Sequence, residues 1–146
     1  MQTDSNKQLV RRLFEDYFNG GHLERLDEIV SPDFVGPSSQ RGPAAFTGVL
    51  VGLRRAFPDI VYTVDDLVAE EDRVAVRWTW RGTHTGPFRD WAPTGKPVVN
   101  SGFAIFQVAN GKLTHSWMET DRLGFLLSIG VIPYDPAYGP PPAAAK

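Results

Sequence analysis

Near the end of the chain, His115, Trp117, Glu119 and Asp121 occupy alternate positions in the stretch NGKLTHSWMETDRLGFLLSIG, residues 110–130. Alternate side chains of a β-strand share a face. The spacing, begun by Leu113, therefore predicts one face with an imidazole, an indole and two acids. Two carboxylates this close perturb each other's titration. One held in apolar surroundings is raised in pKa and becomes a better base toward a carbon acid. On this reading the acids Asp121 and Glu119 are candidates for acid/base chemistry and His115 a proton relay. The alternative for each is plain. Asp121 stands where the strand meets an apolar run, 123–129, and aspartate is a favoured helix N-cap. Glu119 would be a solvated edge residue and His115 a half-exposed one.

Around these residues the sequence offers aromatic walls. Trp78 and Trp80 share one strand face and Arg77 and Thr79 the other, and periodicity leaves open which of the two looks inward. With Trp117, Tyr17 and Phe14, they are the candidates to stack a flat or polyene ligand, each tryptophan adding one N–H donor. Asn100 and Gln107 fall on opposite faces of one strand, and Gln107 is taken as the inward one, able to hydrogen-bond an oxyanion. His84, in the turn-like GTHTG stretch, reads as a surface hydrogen-bonding residue, and His22 is given no role.

The elements that must position these groups follow in order. Apolar residues at three-and-four spacing predict a helix from Asp4 or Ser5 to about Asn19, stopped by Gly20-Gly21. A short second helix runs from His22 to about Val30, ended by Ser31-Pro32, and Asp33–Val35 reads as a short strand. A third helix runs from Pro43 to Phe57. Strands follow at 60–69, 73–85, 97–108 and 112–120, and Asn110-Gly111 is a two-residue hairpin turn. Helices followed by strands make an α+β domain, the helices packed on a curved, mostly antiparallel sheet. Residues 1–131 form that domain and the proline-rich residues 132–146 a tail.

Composition narrows the chemistry. The chain has 146 residues, enough for one domain that buries roughly 70% of its unfolded surface. It contains no cysteine, which removes disulfides, thiolate catalysis and cysteine-based zinc sites. A formal charge of −2 without a basic stripe argues against nucleic acid as partner. The N-terminal residues lack an apolar signal core, and no run approaches the ~20 apolar residues of a membrane span, so the expectation is a cytoplasmic protein that does not engage a membrane. Phosphate-loop, dinucleotide-binding and nucleophile-elbow patterns are missing, and the three histidines have no metal-ligand spacing. The expectation is chemistry by side chains alone, with neither cofactor nor metal.

Several short motifs, in order, resemble one family: Arg81-Gly82-Thr83-His84-Thr85-Gly86, Pro93-Thr94-Gly95-Lys96, Asn110-Gly111-Lys112-Leu113, Trp117 with Asp121, Leu123-Gly124 and Ile129-Gly130. Up to about residue 131 the chain resembles the SnoaL-like polyketide cyclases of the nuclear-transport-factor-2-like superfamily. The resemblance implies a cone-shaped α+β barrel with three N-terminal helices and a deep apolar pocket. It implies a homodimer, formed here through the outer faces of strands 73–85 and 97–108, and a hydrophobic small-molecule substrate. It further implies cofactor-free ring closure in antibiotic biosynthesis, by intramolecular aldol condensation, with the family's aspartate falling on Asp121. Some members place a histidine on the preceding strand, where this chain has Gln107. A pericyclic closure, which needs shape and desolvation more than a base, is a variant. A dehydratase, an isomerase, an epoxide-opening hydrolase and a non-catalytic carrier of hydrophobic ligands are the alternatives that share the fold.

Overall fold

A computed structural model describes residues 2–141. Five strands form one curved sheet in the order β1-β5-β4-β3-β2. They are β1 (Val30–Val35), β2 (Val61–Glu70), β3 (Arg73–Thr83), β4 (Pro97–Ala109) and β5 (Lys112–Thr120). All neighbours pair antiparallel except β1, which runs parallel to β5. The three helical segments that precede β2 are α1 (Gln2–Arg12) with its wider continuation Leu13–Phe18, a tight turn of helix Leu23–Glu28, and α2 (Ala44–Ala56). A last helix, α3 (Arg122–Ser128), follows β5. This is the α+β cone that the motifs imply.

The expected hairpin is present: Asn110 and Gly111 both have positive φ, 52° and 74°, as a two-residue turn of this kind requires. Two boundaries differ from expectation. The second helical segment is a 3₁₀ stretch that stops at Glu28, and Val30 already belongs to β1. Six residues leave it no room for a second full α-turn, and Val30 is fully buried beside Leu113 of β5. Strand pairing therefore claims the residue that helical spacing assigned to the helix.

The core lies between the helices and the concave face of the sheet. The first helix presents Leu9, Val10, Leu13, Phe14, Tyr17 and Phe18, all buried. Asn19 ties its end to the sheet, donating to the Tyr62 carbonyl at 2.8 Å and accepting the Tyr62 N–H at 2.7 Å. Phe14 lies 5.1 Å from the Trp78 ring and 5.0 Å from Phe18. Gly102 of β4 makes the tryptophan's position possible, since a Cβ there would meet the Trp78 ring at 2.6 Å.

Helix α2 is held at its ends. Phe46 packs 4.9 Å from Phe34, 5.9 Å from Phe18 and 6.4 Å from Phe106. At the other end the Ala56 carbonyl accepts the N–H groups of Thr85 and Gly86. Of the C-terminal stretch, residues 142–146 lie outside the described residues. In the rest, Tyr134 donates its hydroxyl to the Gly139 carbonyl at 2.7 Å and Asp135 caps a short turn, Pro136–Tyr138.

Candidate active site

Strand phase decides which candidates meet. On β3, Val74, Val76, Trp78 and Trp80 are buried and Arg73, Arg77 and Arg81 exposed. The two tryptophans are therefore the inward pair, the point that periodicity left open. Phe14 and Tyr17 reach the same interior from the first helix. Burial pushes the phenol of Tyr62, which lies 6.0 Å from the Phe14 ring, up from its ordinary value. These rings wall the interior of the cone. Of the cavities described, one of about 510 Å³ lies where residues 2–6 meet the β2–β3 and β4–β5 turns, and one of about 390 Å³ lies beside Arg12, Tyr17 and Arg25.

On β4 the buried set is Val98, Asn100, Ala104, Phe106 and Val108. This phase corrects the choice of Gln107 as the inward polar residue. Phe106 and Val108 are the large apolar neighbours that turn inward, so Gln107 points out and donates to the Asp72 carboxylate at 2.8 Å. Asn100 is the buried one, and its amide donates to the Asp121 carbonyl at 2.9 Å.

On β5 the single face read from period two divides. Gln107 opposes His115 while Val108 opposes Leu113, so Thr114 is an extra residue, a β-bulge. The bulge shifts the phase by one: Leu113 is fully buried, and beyond it Ser116 is the buried residue. His115, Trp117 and Glu119 thus lie on the outer face. There the His115 and Trp117 rings stack at 4.4 Å, and the Arg73 guanidinium sits 4.9 Å from the Trp117 ring. A stacked, cation-covered pair of this kind is a surface assembly.

Asp121 is exposed and is the N-cap of α3, its Oδ1 accepting the Gly124 N–H at 2.8 Å. This is the structural role that aspartate at such a junction is suited to. Its backbone is fixed as well, by Asn100 on the carbonyl and by its own N–H donating to the Ser101 carbonyl at 3.1 Å. Gly124 is pressed against the carboxylate so closely that a Cβ there would fall 2.1 Å from Oδ2. Asp121 and Glu119 are two residues apart in sequence, but neither lines the aromatic interior or either cavity described above.

The interior also holds a histidine expected at the surface. His84 is fully buried. Its ring stacks on Phe57 at 5.1 Å, and Phe57 lies 4.9 Å from Trp80 and 6.0 Å from Phe125. The Thr94 N–H donates to Nδ1 at 3.3 Å, and Thr94 Oγ1 lies 3.1 Å from the same nitrogen. The backbone of His84 is bonded to Lys96 and Gly95. Burial lowers the imidazole's pKa and so favours the neutral ring. A signal for it was available: Trp78, Trp80, Gly82 and His84 share one phase. Among the described residues, two buried side-chain atoms have no hydrogen-bond partner, His84 Nε2 and Ser116 Oγ. No three carboxylate or histidine side chains gather among those residues to hold a metal ion. Nor is any helix among them long and apolar enough to cross a membrane.

A cone of this topology, walled inside by aromatic rings, defines a class, and comparison with known proteins gives the family. The family model of the SnoaL-like polyketide cyclases matches residues 8–129, and the chain belongs to that family. Among solved structures it is similar to AclR of Streptomyces galilaeus, a proposed hydroxylase, at 29% identity and a TM-score of 0.81 over 93% of this chain and 87% of that one. It is similar to IdmH of Streptomyces antibioticus, a proposed polyketide cyclase, at 31% identity and 0.75 over 86% and 98%. A SnoaL-like protein of Jannaschia, also a proposed polyketide cyclase, aligns at 27% identity and 0.76 over 90% and 95%. A search of the curated proteins finds no match.

Proposed function

We propose that this protein is a cofactor-independent cyclase that closes a ring in a polyketide-like intermediate, held between the rings of its inner face. The observation that carries the reading is that wall: Phe14, Trp78, Trp80 and Phe57 line one interior, with Tyr17 beside them. A wall of this kind folds a flexible chain on itself and keeps water out. Well-oriented intramolecular reactions reach effective molarities of about 10⁵ M and above, so positioning alone supplies much of the rate. Asp121, on the outside with one oxygen engaged by α3, favours the pericyclic variant over the aldol one. A pericyclic closure turns π bonds into σ bonds and moves no proton. Asp121, Glu119 and His115 then serve structure and surface rather than proton transfer.

Turnover of linear polyene or polyketo chains by the Asp121→Asn variant tests this. Retained ring closure supports the pericyclic reading, whereas loss of closure with the fold intact returns Asp121 to the role of general acid/base. The likeness to AclR favours a second reading, in which oxygen enters the product. Label from ¹⁸O-water marks hydrolysis, label from ¹⁸O₂ marks hydroxylation, and an unlabelled isomer of the substrate marks cyclisation. A ligand bound and returned unchanged marks a carrier.

The partner we propose for the outer face is a second copy of the chain, with the protein acting in the cytoplasm. Phe103, Ile105 and Trp117 are 61%, 42% and 45% exposed and adjoin in the β4–β5 register. Contiguous exposed apolar surface of this sort marks an interface.

A further inference from the structure

We infer that His84 is a ligand-binding residue of this interior, its Nε2–H donating to a carbonyl oxygen of the substrate. The inference rests on the proposed cyclase reading and adds to it a polar contact beside the aromatic wall. The tautomer follows from the loop. Nδ1 accepts the Thr94 N–H, so in the neutral ring the proton sits on Nε2. The direction of that proton is fixed, because the ring is stacked on Phe57 and its backbone is bonded on both sides to residues 95 and 96.

Nε2 is buried and has no partner in the protein. A buried donor left unmade is costly. The Thr94 bond explains why a nitrogen is needed at the δ position and explains nothing about the ε position. The other polar group deep in this part of the wall, the Asn100 amide, is already bonded to the Asp121 carbonyl. A substrate carbonyl conjugated to the reacting alkene fits the remaining donor. A hydrogen bond there withdraws electron density and lowers the barrier to ring closure without transferring a proton. The substrate class this selects is a polyene that carries a ketone or ester oxygen on the part of the chain lying against Trp80 and Phe57.

Side-chain mimicry separates the two nitrogens. Asparagine places an acceptor near the δ position and lacks the ε donor, while glutamine carries an amide N–H near the ε position and lacks the δ acceptor. Binding is measured by calorimetry with two probes that differ only at the carbonyls, anthraquinone-2-sulfonate and anthracene-2-sulfonate. The wild type is expected to prefer the quinone by about tenfold, the size of one ordinary hydrogen bond. His84→Asn is expected to lose that preference and to melt lower, having lost the ring stacked on Phe57. His84→Gln is expected to keep the preference and melt lower. In the wild type the His84 ε-proton resonance should move on adding the quinone and stay put with the anthracene, a readout that needs no variant. Equal binding of the two probes by the wild type, an unmoved resonance, or a preference surviving in His84→Asn overturns the assignment while leaving the cyclase reading standing. Failure of both probes to bind overturns the aromatic interior as a ligand site, and the cyclase reading with it.

Discussion

The two faces of strands β3–β5 both carry large apolar and aromatic residues and put them to opposite use. The inner face has Trp78, Trp80 and Phe106, each at most 4% exposed and packed ring against ring with the helices. The outer face has Phe103, Ile105 and Trp117, all open to solvent. Residue type does not distinguish them. Strand phase does, and on β5 a single extra residue, Thr114, sets that phase. An aromatic residue of a sheet is core, ligand wall or interface according to whether its index is odd or even, counted from the nearest bulge.

The sharpest way to break this comparison is truncation on each side. Trp78→Ala removes a ring from the interior and is expected to cost about 3–5 kcal/mol in a denaturant titration. Phe103→Ala, on the other face of the neighbouring strand, is expected to stay within about 0.5 kcal/mol per subunit. Equal costs at concentrations where the chain is monomeric would mean that the outer face is covered within one chain. Next in size is assembly. The wild type is expected to scatter light as a dimer, and the pair Phe103→Glu with Ile105→Glu as a monomer with an unchanged circular-dichroism spectrum. A wild-type monomer would remove the second copy as the outer face's partner.

A smaller effect lies at the corner that joins the faces. Asp121→Ala should lose about 1 kcal/mol of stability with the α3 cap, and Asp121→Asn only a few tenths. The smallest concerns Asp59, whose carboxylate accepts the Thr83 N–H and hydroxyl, both at 2.7 Å. These bonds, the backbone one foremost, hold its pKa below the ordinary aspartate value. A depressed carboxylate stabilises the fold above its unfolded pKa, and that contribution is lost as pH falls through the folded value. Wild type should therefore be more stable than Asp59→Ala at neutral pH, with the gap closing in acid below the usual carboxylate range. A gap that is flat with pH would show that the bonds do not favour the charged form.

The architecture was legible because its signals are local and repeated. Three-and-four apolar spacing in the first helix, β-rich runs at 73–85 and 97–108, and Asn110-Gly111 each specify an element without help from the rest. The inner tryptophans were legible as a pair, and their face needed the fold. The site was less legible, for two physical reasons. A bulge is invisible to a count of alternate residues, so His115, Trp117 and Glu119 were grouped with Leu113, which points the other way. Burial of a polar side chain also depends on partners distant in sequence. His84 is enclosed by Thr94 and Phe57, and Asn100 is satisfied by Asp121, none of them within five residues.

The closeness of Gly124 to the Asp121 carboxylate ties two positions into one unit. A methyl group at 124 has no space while a carboxylate caps the helix, and a serine at 121 would not make it, since its Oγ would take the place of Cγ, 2.7 Å from that methyl. Gly124→Ala should thus be harmful alone and tolerated beside Asp121→Ala, where nothing lies beyond Cβ and the methyl favours α3 by about 1 kcal/mol. Such non-additivity would make this corner vary, if it varies at all, by paired replacement.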